Sequence, residues 1–221
     1  MTPEQKTRLI EITERHHAID GMLIKGTYGK MNGSFKGCSV GCIMRDINPE
    51  FNGEFDENIH EKVALEFGYP EWLVRLQDKI FEGLPDGENL DWHVQLSKAI
   101  PVNADWQKIL HQVHVAILRV SYRTAGSSKE AVQGVIDLHE RVIAGESLCD
   151  GDWSAAESAA ESAAWSAARS AAESAAWSAA RSAAWSAAES AARSAAESAA
   201  RSAAYQEIRD AVLEVLEKAS R

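Results

Sequence analysis

Apolar residues recur at three- and four-residue intervals over most of the first two thirds of the chain, and this spacing predicts helices. Leu9, Ile10, Ile12, His16 and Ile19 mark one such face. Thr2-Pro3-Glu4-Gln5 stands ahead of it. Thr2 can cap the helix, Pro3 suits the first helical position, and Gln5 can reach back to close a capping box. The helix should stop near Gly21. The same period returns after Asn58. ENIHEKVALEFG predicts a helix closed by Gly68, and YPEWLVRLQDKIFEGLP one that starts at Pro70 and ends at Gly83. ENLDWHVQLSKAIP ends at Pro101, NADWQKILHQVHVAILRVSYRTAG begins at an Asn103 cap, and SSKEAVQGVIDLHERVIAG runs from a Ser cap to Gly145.

The pattern breaks between residues 21 and 41, where six of the 14 glycines fall. TYGKMNGSFKG carries an Asn32-Gly33 turn signal between short segments holding Tyr28 and Phe35, which predicts a small β-hairpin. GCSVGCIM follows, as a third strand or as a short helix opening at Gly37.

From Trp153 to Tyr205 the chain is a four-residue word, Ser-Ala-Ala-X, with X mostly Glu, Trp or Arg. Alanine content favours a helix, about 100 Å long if straight from Trp153 to Lys218. Four residues turn the helix by about 400°, so each X lands about 40° beyond the last. Trp153, Trp165, Trp177 and Trp185 then point in different directions, which argues against a left-handed heptad coil. Glu189–Arg193 and Glu197–Arg201 are i,i+4 ion pairs, each contributing roughly 0.2–0.5 kcal/mol. Two readings stay open. In one, the alanine rows pack in a right-handed supercoil against another copy or the chain's own first domain, with the four tryptophans and Tyr205 over the seam. In the other, the tail is a solitary helical spacer. The closing segment YQEIRDAVLEVLEKASR changes character: Ile208, Val212, Val215 and Leu216 form an apolar face that should dock.

The fold expected is therefore mainly α. A helical domain over residues 1–149 carries a Gly-rich hairpin insert, and residues 150–221 form the repeat tail.

Charge narrows the partners. The 221 residues carry a net charge of −10, of which residues 1–150 hold −7 and residues 151–221 hold −3. Neither part has the basic footprint of a nucleic-acid binder. No run of about 18 apolar residues predicts a membrane span, and the first residues lack the apolar core of a signal peptide. Three cysteines, Cys38, Cys42 and Cys149, fit reduced thiols in a cytoplasm.

The chemistry on offer is sparse. Cys38 and Cys42 would share one face of a helix, and His16, His17 or His60 could join them on zinc. The spacing matches no common zinc module, so neither a metal nor another cofactor is expected. Packing of both thiols beneath the Gly-rich loop is the plainer reading. Cys38 at a helix N-terminus, with His60 as base, would make a cysteine-hydrolase pair. His111 and His114 lie three apart in a strongly apolar helix and read as rim or core residues. The glycines fit neither phosphate-loop pattern. Tyr28, Cys38, Cys42 and His60 are the candidate ligand-pocket residues.

The segments KGTYGK…KGCSVGC, FGYPEWLVRLQDKIFEGLP and AIPVNADW, with the alanine-rich tail, resemble an uncharacterised family of bacterial and phage proteins. The resemblance covers most of residues 25–106, and the tail in style only. It carries over no catalytic residues. It implies a role in the conflict between phage and host. The function expected is non-enzymatic: a phage counter-defence protein that sequesters a host factor or a small signalling molecule, with a tail that self-associates or docks. A cysteine hydrolase and a purely structural rod are the alternatives.

Overall fold

A computed structural model of the chain describes residues 1–19, 21–155, 158 and 186–220. These residues are mainly helical, with one two-stranded antiparallel hairpin. They divide into two compact units, Met1–Trp106 with Arg209–Arg221, and Gln107–Ile208.

The first unit opens with α1 (Pro3–Ala18), whose capping box forms as the sequence predicts. The Thr2 hydroxyl accepts from the Gln5 backbone N–H, and the Gln5 side chain accepts from that of Thr2. The hairpin pairs β1 (Lys30–Asn32) with β2 (Ser34–Lys36) around Gly33, which takes φ +76°. The next segment is a helix, α2 (Ser39–Ile47), with Cys38 at its N-cap. Residues 39–44 are all buried, and only Arg45, Asp46 and Ile47 at its C-terminal end reach toward the surface. Then come α3 (Ile59–Phe67), closed by Gly68 in the left-handed region, α4 (Glu71–Gly83) and α5 (Glu88–Ala99).

The core of this unit is built around α2. Val40, Cys42 and Ile43 meet a shell that includes Ile59, Val63 and Phe67 of α3 and Leu73, Val74 and Phe81 of α4, all fully buried. Trp92 of α5 joins that core, and its indole N–H donates to the Gln77 carbonyl at 3.0 Å. The end of the chain belongs here too. Val212 and Leu216 are fully buried, Arg209 pairs with Glu88 at 2.5 Å, and the Ser220 hydroxyl reaches the Ala99 carbonyl at 3.3 Å. The terminal apolar face thus docks as its spacing required.

Helix α6 (Trp106–Thr124) starts two residues later than a cap at Asn103 would place it. Asn103 instead takes φ 55°, a conformation that asparagine tolerates, and its N–H donates to the Met1 carbonyl.

The second unit contains α6 from Gln107, a short 3₁₀ turn (Gly126–Ser128), α7 (Lys129–Ile143) and helical residues 150–155. It also holds α8 (Ser186–Ala219) as far as Ile208. Repeat residues 186–204 are helical, as expected. His111 of α6 and His139 of α7 meet Nδ1 to Nδ1 at 2.7 Å, and the Trp153 ring lies on both imidazoles. Burial, followed by the charges of His114 and His111, pushes His139 down to about 4. Arg119 pairs with Glu140 at 2.6 Å, and Arg123 with Glu207. Among the described residues no helix is long and apolar enough to cross a membrane.

Candidate functional site

A cavity of about 340 Å³ opens in the first unit, lined by Gly26, Thr27, Tyr28, Cys38, Asp78 and Glu82. Three elements supply it. The Gly-rich loop gives the first three residues, the N-cap of α2 gives Cys38, and α4 gives the two acids one helical turn apart.

The loop reaches this place because two glycines let it. Gly37 and Gly41 lie directly under the Tyr28 carbonyl, with no room for a side chain at either. The Cys38 N–H donates to the Thr27 carbonyl at 2.9 Å and fixes the same contact from the other side.

A buried chain of hydrogen bonds sets the distance between α2 and α4. Ser39, next to Cys38, accepts from the Gln77 side-chain N–H at 2.6 Å, and Gln77 is next to Asp78. The Tyr69 hydroxyl donates to the Gln77 side-chain oxygen Oε1, and Ser39 continues to His93 at 2.7 Å. His93 contacts His16 at 3.1 Å, and His16 contacts Asp46. Four helices are thereby tied at the residues beside the site, which holds Cys38 against Asp78.

The site itself is acidic. The Cys38 sulfur, an Asp78 oxygen and a Glu82 oxygen lie within 4.8 Å of one another. His60 Nε2 contacts Asp78 Oδ2 at 3.3 Å, and the Gly26 N–H donates to Glu82 Oε2 at 2.9 Å. Asp78 Oδ1 is shut off from water and has no hydrogen-bond partner. Loss of water, with the nearby Asp78 charge, lifts the Glu82 carboxyl above its usual range, although the Gly26 N–H acts the other way.

Cys38 is 1% exposed. The N-terminus of α2 should favour its thiolate, and its sulfur does accept from the Gly41 N–H at 3.4 Å. Burial wins. Together with the Asp78 charge it holds the thiol well above its ordinary value.

The structure places Tyr28 and Cys38 on the cavity wall. His60 sits edge-on to Tyr28 at 5.9 Å, but it faces Asp78, so a carboxylate stands where a hydrolase would need the imidazole to meet the thiol. Cys42 lies apart, fully buried, with its thiol directed at the carbonyls of Gly37 and Met22 and pushed up to about 12 by burial. It packs beneath the loop. Asp78 and Glu82 were not singled out from the sequence. Of the tail candidates, Trp153 packs on the histidines of its own unit and Tyr205 is half-buried. Trp165, Trp177 and Trp185 lie outside the described residues.

No protein family, curated protein or solved structure matches the chain.

Proposed function

We propose that the protein is a non-enzymatic binding protein, and that the cavity between the Gly-rich loop and α4 takes a small, positively charged ligand. The observation that supports this most is Asp78. It lines the cavity and keeps one oxygen buried and without a partner, beside a second acid and a thiol. A buried oxygen of this kind costs stability until a donor or a cation meets it, and two acids side by side favour the cation. The arrangement withholds from Cys38 both the exposure and the adjacent base that nucleophilic chemistry needs, so binding fits better than hydrolysis. A sequestering role in phage counter-defence is consistent with such a cavity and rests on the sequence resemblance.

Native mass spectrometry of the full chain, purified from the cells that naturally express it, tests the reading. A retained small mass is expected, absent when Asp78→Asn is purified in the same way. Identical spectra for the two proteins would remove the pocket from the function.

The repeat tail, in this reading, joins copies through its alanine rows. Light scattering on the full chain should give a multiple of the 24.1 kDa protomer mass. The triple variant Trp165→Ala, Trp177→Ala, Trp185→Ala should move toward the protomer. A wild-type protomer at high concentration would leave the tail as a spacer.

A further inference from the structure

We propose that Cys38, Asp78 and Glu82 form a site for a thiophilic divalent cation of the zinc type. This rests on the cavity being the binding site, and it names the positive charge that the cavity takes.

Three observations carry it. The first is donor geometry. One sulfur and two carboxylate oxygens stand within 4.8 Å of one another. Zinc holds such donors at roughly 2.0–2.3 Å, so side-chain adjustments of a fraction of an ångström would close the set around one ion. The second is the orphaned oxygen. Asp78 Oδ2 is engaged by His60 and Glu82 Oε2 by the Gly26 N–H, while Asp78 Oδ1 has no partner. Ligand carboxylates are commonly oriented in this manner by contacts to one oxygen, which leaves the other for the metal. The third is rigidity. The donors project from the N-cap of α2 and from one face of α4, and the Ser39–Gln77 hydrogen bond ties those helices at the adjacent residues.

The donor types select the ion. A thiolate disfavours magnesium and calcium, which prefer all-oxygen shells, and suits zinc. Cys38 gives its proton to solvent as it binds. Three protein ligands leave a tetrahedral ion one vertex, for water or for a ligand atom in the cavity. The site then has the open form in which a metal can anchor a second molecule.

The test uses the full chain, stripped with chelator and kept reduced. Cobalt(II) titration should give a thiolate-to-metal band in the near ultraviolet that saturates at one ion per chain. Zinc should displace cobalt and abolish the band. Cys38→Ser should remove the band, and Glu82→Gln should weaken binding by more than the roughly 10–100-fold that loss of a supporting contact costs. Glu82 is half-buried and its amide counterpart can still accept from Gly26, so this variant reads the metal even where a core change misfolds the unit. Cys149→Ser removes the exposed thiol and should change nothing.

A band that survives Cys38→Ser, or no band at all, overturns the metal site. Methylguanidine separates that failure from failure of the pocket. If it binds the wild type and not Asp78→Asn while zinc does not bind, the pocket stands and the metal falls. If neither binds, both fall.

Discussion

Gly41→Ala is expected to lower the melting temperature of the first unit by more than about 10 °C. A Cβ at this position would stand 1.5 Å from the Tyr28 carbonyl oxygen and 2.5 Å from its carbon. Both are backbone atoms, so no rotamer change relieves the overlap. The loop must lift, and the hydrogen bonds that hold it, Cys38 to Thr27 and Gly37 to Met22, must stretch or break. Overpacking of this kind costs on the order of 4 kcal/mol or more, against a total stability of about 5–15 kcal/mol for a typical domain. Helix propensity alone would give the opposite sign, because alanine is the better helix former. Gly134→Ala supplies the contrast. That glycine sits in α7, exposed, with nothing near its missing Cβ, and its replacement should stabilise by roughly 0.5–1 kcal/mol. Thermal and urea melts of the two variants give opposite shifts if the close approach at Tyr28 is real. A Gly41→Ala protein that melts with the wild type would mean that the loop does not rest on α2, and the cavity would lose its wall.

The same contact shows what the sequence could and could not convey. Glycine density between residues 21 and 41 announced a close-packed loop, and Asn32-Gly33 located its hairpin. The partner beneath that loop reads from sequence as strand or helix alike, because so short an apolar run bounded by glycines carries too few periods to separate the two. Tyr28 and Cys38 were legible as wall residues through their place among the glycines. Asp78 and Glu82 were not, because acids on an amphipathic helix normally belong to its solvated face. A signal was present all the same. Asp78 and Glu82 are like charges four apart on one helix face, an arrangement that repels unless something positive meets it. His60 was legible as a nearby imidazole, but spacing could not say that Asp78 would stand between it and Cys38. That order depends on how α3 and α4 pack.

Acidification is the second large effect, and it runs through the buried chain behind the site. The Asp46 carboxylate must accept from His16 Nε2–H, which leaves His16 Nδ1 bare in the neutral ring. His93 Nε2–H then donates to that nitrogen, and His93 Nδ1 accepts the Ser39 hydroxyl proton, while Gln77 donates to the Ser39 oxygen. With both imidazoles neutral, every link is satisfied in this one direction. Burial, with the charges of His16 and His17 added, pushes His93 well below the ordinary imidazole value. Burial also lowers His16, although Asp46 opposes it. An unfolded chain takes up these protons near pH 6.5. Below that value the unfolded state binds more protons than the folded one, so stability is complete above about pH 6.5 and is lost as the pH falls. Each group contributes up to about 1.4 kcal/mol per pH unit until its folded value is reached. His93→Gln breaks a link and should cost roughly 2–4 kcal/mol at pH 7.5. Because it also removes a titrating group, its further loss between pH 7.5 and 5.5 should be smaller than that of the wild type. Urea midpoints at the two pH values measure both slopes. Equal slopes would mean that His93 is charged in the folded protein, and the directional chain from Gln77 to Asp46 could not then exist as drawn.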